Sequence, residues 1–321
     1  MTFRLFRLLS IAALGAVLAA SPAIAADKLR IGFMPFVPYA ASLLAKQNGW
    51  VEEELAKEGR GSVAVTWSQF AGGPPVNEAF ASGDLDVAAL GDTPALAGHA
   101  SGIDTRLIGL AYKGGQAQAL LVRADAPYHS VKDLKGKKVA TLRGGNVHEL
   151  LVLILAEAGL TLADVSFINL SLQDMGTALI KGDIDAALVW DPVFTRLESE
   201  GKARILRDGK GLKNNLNPIV ASAAILKDDP ALIRAYLRAI ARGAQVLRDD
   251  PREAAKALSP VFGLTPEQTL IAFSRSEWVP PVDDAVRQEI RRSIDFLLEN
   301  RLIRQPFDPD KFIDLSVGAG Q

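Results

Sequence analysis

The hydrophobic positions of this chain change period in a regular rhythm. Residues 29–33 form a short apolar run, and 39–49 and 51–57 carry apolar side chains at helical spacing. Residues 63–67 alternate apolar and polar, the period of a strand. The pattern predicts a short helix over 75–81, where proline is tolerated in the first turn. A strand over 86–90, a helix over 94–100 and a strand over 107–111 follow. This β-α-β-α order predicts helices packed on a mixed sheet.

The rhythm restarts after about residue 112. Strands are predicted over 120–123, 138–141, 165–170 and 186–189. Between them lie a helical turn over 131–134 and helices over 147–158 and 175–181. Beyond Asp229 the pattern is mostly helical, with helices over 231–248, 252–258, 266–273 and 285–300. One phrase occurs twice. Gly83-Asp84-Leu85-Asp86-Val87-Ala88-Ala89 is echoed 99 residues later by Gly182-Asp183-Ile184-Asp185-Ala186-Ala187-Leu188. Turn chemistry joining a helix end to a strand accounts for Gly-Asp-x-Asp on its own. Two lobes built on one plan account for it as well, and then equivalent strand ends line one cleft.

The first 25 residues follow a different rule. Arg4 and Arg7 precede an apolar run over 8–20, and Ala23-Ile24-Ala25 is a small-x-small cleavage site. That is the layout of a secretory signal peptide. Cleavage after Ala25 removes two basic and no acidic residues, shifting the formal net charge of −1 to −3. No later run approaches the roughly 18 apolar residues of a membrane span. The chain has no cysteine, which excludes a thiol nucleophile, a cysteine zinc site and a lipid-bearing cysteine. Its 37 acidic and 36 basic residues create no bulk field for nucleic acid. A soluble, exported, cysteine-free chain points to the periplasm.

Candidate chemistry sits in loops that open helices. Arg143-Gly144-Gly145-Asn146-Val147-His148 follows a strand, and Asn146 is a natural cap. The N–H groups of such a helix start favour an anion. Gly91-Asp92-Thr93-Pro94 has the same form, with the Thr93 hydroxyl as a donor. Asp92 is either a turn-former or a group facing the cleft. In the second case an anion needs a cation beside Asp92, or the ligand carries an amine or hydroxyl. Gln69 follows the second strand, Phe36 and Tyr39 lie in a proline-bounded loop, and Trp190-Asp191-Pro192 ends a later strand. Phe70 is expected in the core. His148 can titrate near neutral pH. No nucleophile elbow, zinc helix or phosphate-binding glycine loop is present.

Several phrases, taken in order, carry a resemblance. They are Ile31-Gly32-Phe33, Phe70-Ala71-Gly72-Gly73-Pro74, Gly83-Asp84-Leu85-Asp86, Gly91-Asp92-Thr93-Pro94, Val131-Lys132-Asp133-Leu134-Lys135-Gly136-Lys137-Lys138-Val139-Ala140, Gly144-Gly145-Asn146-Val147-His148 and Val189-Trp190-Asp191-Pro192. Behind a signal peptide they resemble the nitrate/taurine/alkanesulfonate branch of type II periplasmic substrate-binding proteins. The resemblance implies a two-lobed α/β fold, each lobe a mixed sheet flanked by helices, with the cleft between lobes. Lobe 1 is expected over 27–112 plus 218–321 and lobe 2 over 113–217, with hinge crossings near 112–117 and 213–218. It implies a carrier rather than an enzyme, without cofactor or metal. Its partners would be a small oxyanion and an ABC permease in the inner membrane, and a monomer suits that task.

The Gly-Asp-Thr-Pro and Gly-Asn-Val-His phrases look most like the aliphatic-sulfonate members, which implies an aliphatic sulfonate or taurine-like ligand. By that similarity Thr93 and the helix starts at Thr93 and Asn146 hold the sulfonate oxygens. Phe36, Gln69, Asp92, Gly145, His148, Trp190 and Asp191 complete the expected ligand site. The loop over 34–39 departs from the commoner polar version and leaves the tail preference open. Nitrate, a sulfate ester or an aromatic acid are the alternative ligands, and a ligand sensor is an alternative task. A cleft enzyme would have to use His148 with Asp92 or Asp191.

Overall fold

Strands form where the period-two runs predict them. The computed structural model describes residues 28–318, so the signal segment over 1–25 lies outside the described residues. The chain opens with β1 (Lys28–Phe33), α1 (Ala40–Gln47), α2 (Trp50–Lys57), β2 (Ala64–Gln69), α3 (Gly73–Ala81), β3 (Val87–Ala89), α4 (Asp92–Ala100) and β4 (Thr105–Lys113). It continues with β5 (Gln118–Arg123), β6 (Lys138–Thr141), α5 (Asn146–Glu157), β7 (Ser166–Asn169), α6 (Leu172–Lys181), β8 (Ala186–Trp190), α7 (Val193–Ser199) and β9 (Ala203–Asp208). It returns through β10 (Asn217–Ser222), α8 (Ala223–Asp228), α9 (Pro230–Asp249), α10 (Pro251–Phe262), α11 (Pro266–Phe273), β11 (Glu277–Trp278), α12 (Asp284–Glu299) and α13 (Pro309–Phe312).

Two mixed sheets result. The six-stranded sheet runs β11-β4-β10-β3-β1-β2, and the five-stranded sheet runs β7-β6-β8-β5-β9. Their plans coincide. β1 lies parallel between β2 and β3, with β10 and β4 antiparallel beyond. β6 lies parallel between β7 and β8, with β5 and β9 antiparallel beyond. The doubled phrase occupies the same position in each sheet. Gly83 and Gly182 both adopt a left-handed backbone, φ +77 and +81, where a side chain would be strained. Asp86 Oδ2 accepts from Arg30 N–H at 2.7 Å, and Asp185 Oδ2 accepts from Lys138 N–H at 2.9 Å. Each aspartate ties its turn to the first central strand of its sheet.

Alternation along the strands distributes the cores. Ala119, Leu121, Ala187 and Val189 face one apolar cluster, which extends through the six-stranded sheet. Leu120, Val122, Ala186 and Leu188 face a second cluster built with α5. Each such leucine or valine contributes about 1.5–3 kcal/mol by leaving water. The chain crosses between the sheets twice, over 114–117 and over 209–216. The crossings touch so closely that a Cβ on Gly209 would lie 2.4 Å from Gly115 O.

The structure adds elements that local pattern did not predict: α7, β9, β10, α8, β11 and α13. β10 is the instructive one. It is a central strand containing Pro218, which periodicity reads as a break. A register shift between Asn217 and Pro218 accommodates the ring, and Pro218 O still accepts from Leu90 N–H at 3.1 Å.

Candidate functional site

The loops beyond the carboxyl ends of β1, β2, β3, β6 and β8 meet at one narrow cavity between the two sheets. Its volume is about 40 Å³. Met34, Phe36, Pro38 and Tyr39 enter after β1, Gly72 to Pro74 after β2, Gly91 after β3, Leu142, Gly145 and Asn146 after β6, and Trp190 from the end of β8. The return crossing contributes Asn215 and Asn217. Phe36 and Trp190 meet edge to face with ring centres 5.9 Å apart, closing the apolar side across the sheets.

Three helices begin at this cavity. α3, α4 and α5 have glycine N-caps, Gly72, Gly91 and Gly145, and none of these caps has a side chain to occupy the first-turn N–H groups. The cap of α5 differs from expectation. Gly145 is extended, φ −87 and ψ 165, so Asn146 is the first helical residue rather than the cap. Asn146 Oδ1 accepts from Val147 N–H at 3.2 Å. Its Nδ2 donates to Asn215 Oδ1, which also accepts from Asn217 Nδ2 at 3.0 Å.

The expected roles of Asp92 and Thr93 change. Both side chains are fully buried behind the cavity. Asp92 Oδ1 accepts from Thr93 N–H at 2.8 Å, and Leu216 O accepts from Asp92 N–H at 3.1 Å. Pro94 has no N–H, so the first turn of α4 is spent within the protein. The Thr93 hydroxyl donates to Glu149 Oε2 at 3.3 Å and points away from the cleft. The cation that Asp92 needed is Lys213 on the return crossing. Lys213 Nζ lies 2.7 Å from Asp92 Oδ2, 3.0 Å from Glu149 Oε2 and 3.0 Å from Ser293 Oγ on α12. Burial alone would lower the Lys213 pKa, but Asp92, Glu149 and Glu289 outweigh it and hold the ammonium charged. Burial raises the Glu149 pKa, and the Asp92 charge adds to this against Lys213 and Ser293.

Asp191, His148 and Gln69 also stand apart from the cavity walls. Asp191 is buried and accepts from Thr195 N–H at 2.8 Å, so its side chain is tied to the first turn of α7 instead of facing a ligand. Arg275, from beyond α11, lies 3.6 Å from Asp191 Oδ2 and donates to Thr195 Oγ1 at 2.8 Å and Glu198 Oε2 at 2.6 Å. His148 is buried beside Phe167 and Phe296, and burial lowers its pKa to about 4. Gln69 ends β2 exposed to solvent. The cavity thus brings together Phe36, Gly145, Asn146 and Trp190 from the expected set. It adds Asn215 and Asn217, which a polar stretch between strands had marked only as hinge chemistry.

A larger groove of about 1000 Å³ opens at the opposite strand ends, lined by Lys28, Asp104 and Asp228 among others. Neither the helix starts nor the asparagine chain reaches it. Residues 39–254 match the NMT1/THI5-like family. The chain belongs to the NMT1/THI5-like family. This NMT1/THI5-like chain superposes with a TM-score of 0.82 on the alkanesulfonate-binding protein SsuA from Xanthomonas axonopodis pv. citri bound to MOPS. The two are 27% identical, over 90% of this chain and 99% of that one. The periplasmic aliphatic sulphonate binding protein SsuA from Escherichia coli follows at 0.78, with 26% identity over 89% of this chain and 97% of that one. The taurine-binding periplasmic protein of Escherichia coli (strain K12) is 28% identical over 63% of this chain and 62% of its own length. Among the described residues no helix is long and apolar enough to cross a membrane.

Proposed function

We propose that this chain captures a small organosulfonate between its two sheets and hands it to an ATP-driven importer in the inner membrane. The carrying observation is the convergence of the α3 and α5 starts with Asn146 and Asn215 on one cavity between the sheets. Helix starts and amide donors stabilise a concentrated negative charge without neutralising it. The apolar side of the cavity, Met34, Phe36, Leu142 and Trp190, suits an organic tail. Solved relatives of this fold, similar over nine-tenths of the chain, bind sulfonates by name.

On this reading the six-stranded sheet with its helices is one lobe and the five-stranded sheet is the other. The hinge is the pair of crossings over 114–117 and 209–216. A cavity of about 40 Å³ admits a sulfonate only when the lobes part, so binding and closure are linked. Among the described residues no carboxylate and no imidazole lines the cavity, which favours capture over turnover. The protein works as a periplasmic monomer that docks on the permease and leaves.

A thermal-shift panel on the mature chain tests this. Alkanesulfonates of several lengths, taurine, aryl sulfonates, sulfate, nitrate and bicarbonate are the ligands. One sulfonate class at 100 times its Kd is expected to stabilise the fold by about 2.7 kcal/mol. A shift with nitrate or bicarbonate and none with any sulfonate overturns the ligand assignment.

A further inference from the structure

The asparagine chain at the cavity has a fixed polarity. The Val147 N–H can only donate, so the Asn146 amide must turn its oxygen toward it. The Asn146 Nδ2 then faces Asn215, which must present Oδ1. Asn217 Nδ2 donates to that same oxygen at 3.0 Å. Asn215 is 2% exposed and lines the cavity, and its NH2 forms no hydrogen bond among the described residues. A backbone donor on α5 thereby sets the direction of an amide on the return crossing. Asn215 is left offering donors where a ligand head would sit.

The carboxylates nearby are turned away from that point. Asp92 and Glu149 are held by Lys213 at 2.7 and 3.0 Å, and Ser293 Oγ donates to Glu149 Oε1 at 3.1 Å. We infer that Asn215 is a specificity-determining residue that selects a fully ionised sulfonate over a phosphonate of the same shape. This inference rests on the proposed sulfonate site. A sulfonate is acceptor-only, and every oxygen can use a donor. A monoprotonated phosphonate carries one P–OH, which Asn215 cannot accept with its oxygen already taken by Asn146 and Asn217, and among the described residues no carboxylate lines the cavity. Asn217 is a positioning residue, since it acts by holding the Asn215 oxygen.

Calorimetric titration of the mature chain with butanesulfonate and butylphosphonate tests this, at a pH where the phosphonate keeps one proton. The wild type is expected to bind the sulfonate roughly 100-fold tighter. Asn215→Leu should weaken butanesulfonate about 10-fold to 100-fold by removing the donors. Asn215→Asp should weaken it further and narrow the sulfonate-to-phosphonate ratio, because a carboxylate accepts the P–OH and repels an aprotic anion. A purely structural role for Asn215 would weaken both ligands alike and leave the ratio unchanged. Sulfonate affinity within about threefold of wild type in Asn215→Leu overturns the inference. The wild-type ratio needs no variant: equal affinity for the two ligands also overturns it. Absence of butanesulfonate binding to the wild type, with nitrate or bicarbonate bound instead, overturns the proposed function itself.

Discussion

The two copies of the repeated phrase agree at one end and diverge at the other. At the base, Asp86 and Asp185 accept from the backbone of the neighbouring central strand at 2.7 and 2.9 Å, within their own sheets. Six positions later the equivalents are Asp92 and Asp191, and here the partners come from elsewhere. Asp92 meets Lys213 from the return crossing, in a cluster joined by Glu149 of α5. Asp191, at the end of the five-stranded sheet, meets Arg275 from beyond α11, next to the six-stranded sheet. The base of the repeat is turn chemistry, which any copy must keep to fold. The mouth is free to differ, and in both copies it holds one layer against the other.

The largest effect should come from breaking the Asp92 mouth. Lys213→Met leaves Asp92 and Glu149 buried without their cation, and urea unfolding should show a loss of about 3–5 kcal/mol. Adding Asp92→Asn to that variant should return part of the loss. If the single variant unfolds like wild type, the cluster is not what holds the layers together.

Next in size is a pH effect beside that cluster. His148 has its folded pKa depressed to about 4 by burial, against 6.5 when exposed. The unfolded chain therefore binds more protons between these values, and folded stability falls as pH drops from 6.5 through 4. The shift corresponds to about 3 kcal/mol. Its neighbour Glu149 has the opposite sign, with burial and the Asp92 charge raising the folded pKa above the ordinary carboxylate value of 4.5. Its contribution is full below that value and is lost as pH rises through the folded pKa. Melting temperatures across pH should lose the acid slope in His148→Phe and lose part of the alkaline slope in Glu149→Gln.

A smaller loss is expected at the Asp191 mouth. Arg275→Met removes the cation at 3.6 Å and two donated hydrogen bonds, for about 1–3 kcal/mol. Its unfolding transition should fall between those of wild type and Lys213→Met. The smallest pair closes the comparison. Asp86→Asn and Asp185→Asn should each cost about 1 kcal/mol, and similarly. A large difference between them would mean that the two bases are not equivalent.

Much of the fold was legible because period reports burial locally. The strands over 138–141 and the helix over 266–273 appear with the predicted bounds, since alternation and a proline start need no distant partner. The Gly-Asp-x-Asp echo, open to two readings as sequence, corresponds to two sheets of one strand order. β10 was hidden because a proline in a central strand is tolerated only where the neighbouring strand shifts register around it. The site was half legible. Glycine-opened helices marked Gly145 and Asn146, and aromatic strand ends marked Phe36 and Trp190. Thr93 and His148 were placed by their types, and their side chains instead turn toward buried partners.

By itself, the sequence determined the alternation of strands and helices, the doubled turn and the glycine helix starts that an anion would use. Each depends on neighbours within a few positions. Tertiary structure alone decided which polar groups face the cavity. Asn215 lies 69 residues from Asn146, and Lys213 lies 121 residues from Asp92. A hydroxyl or carboxylate becomes a ligand group or an internal prop according to which distant partner reaches it first, and only the folded chain fixes that distance.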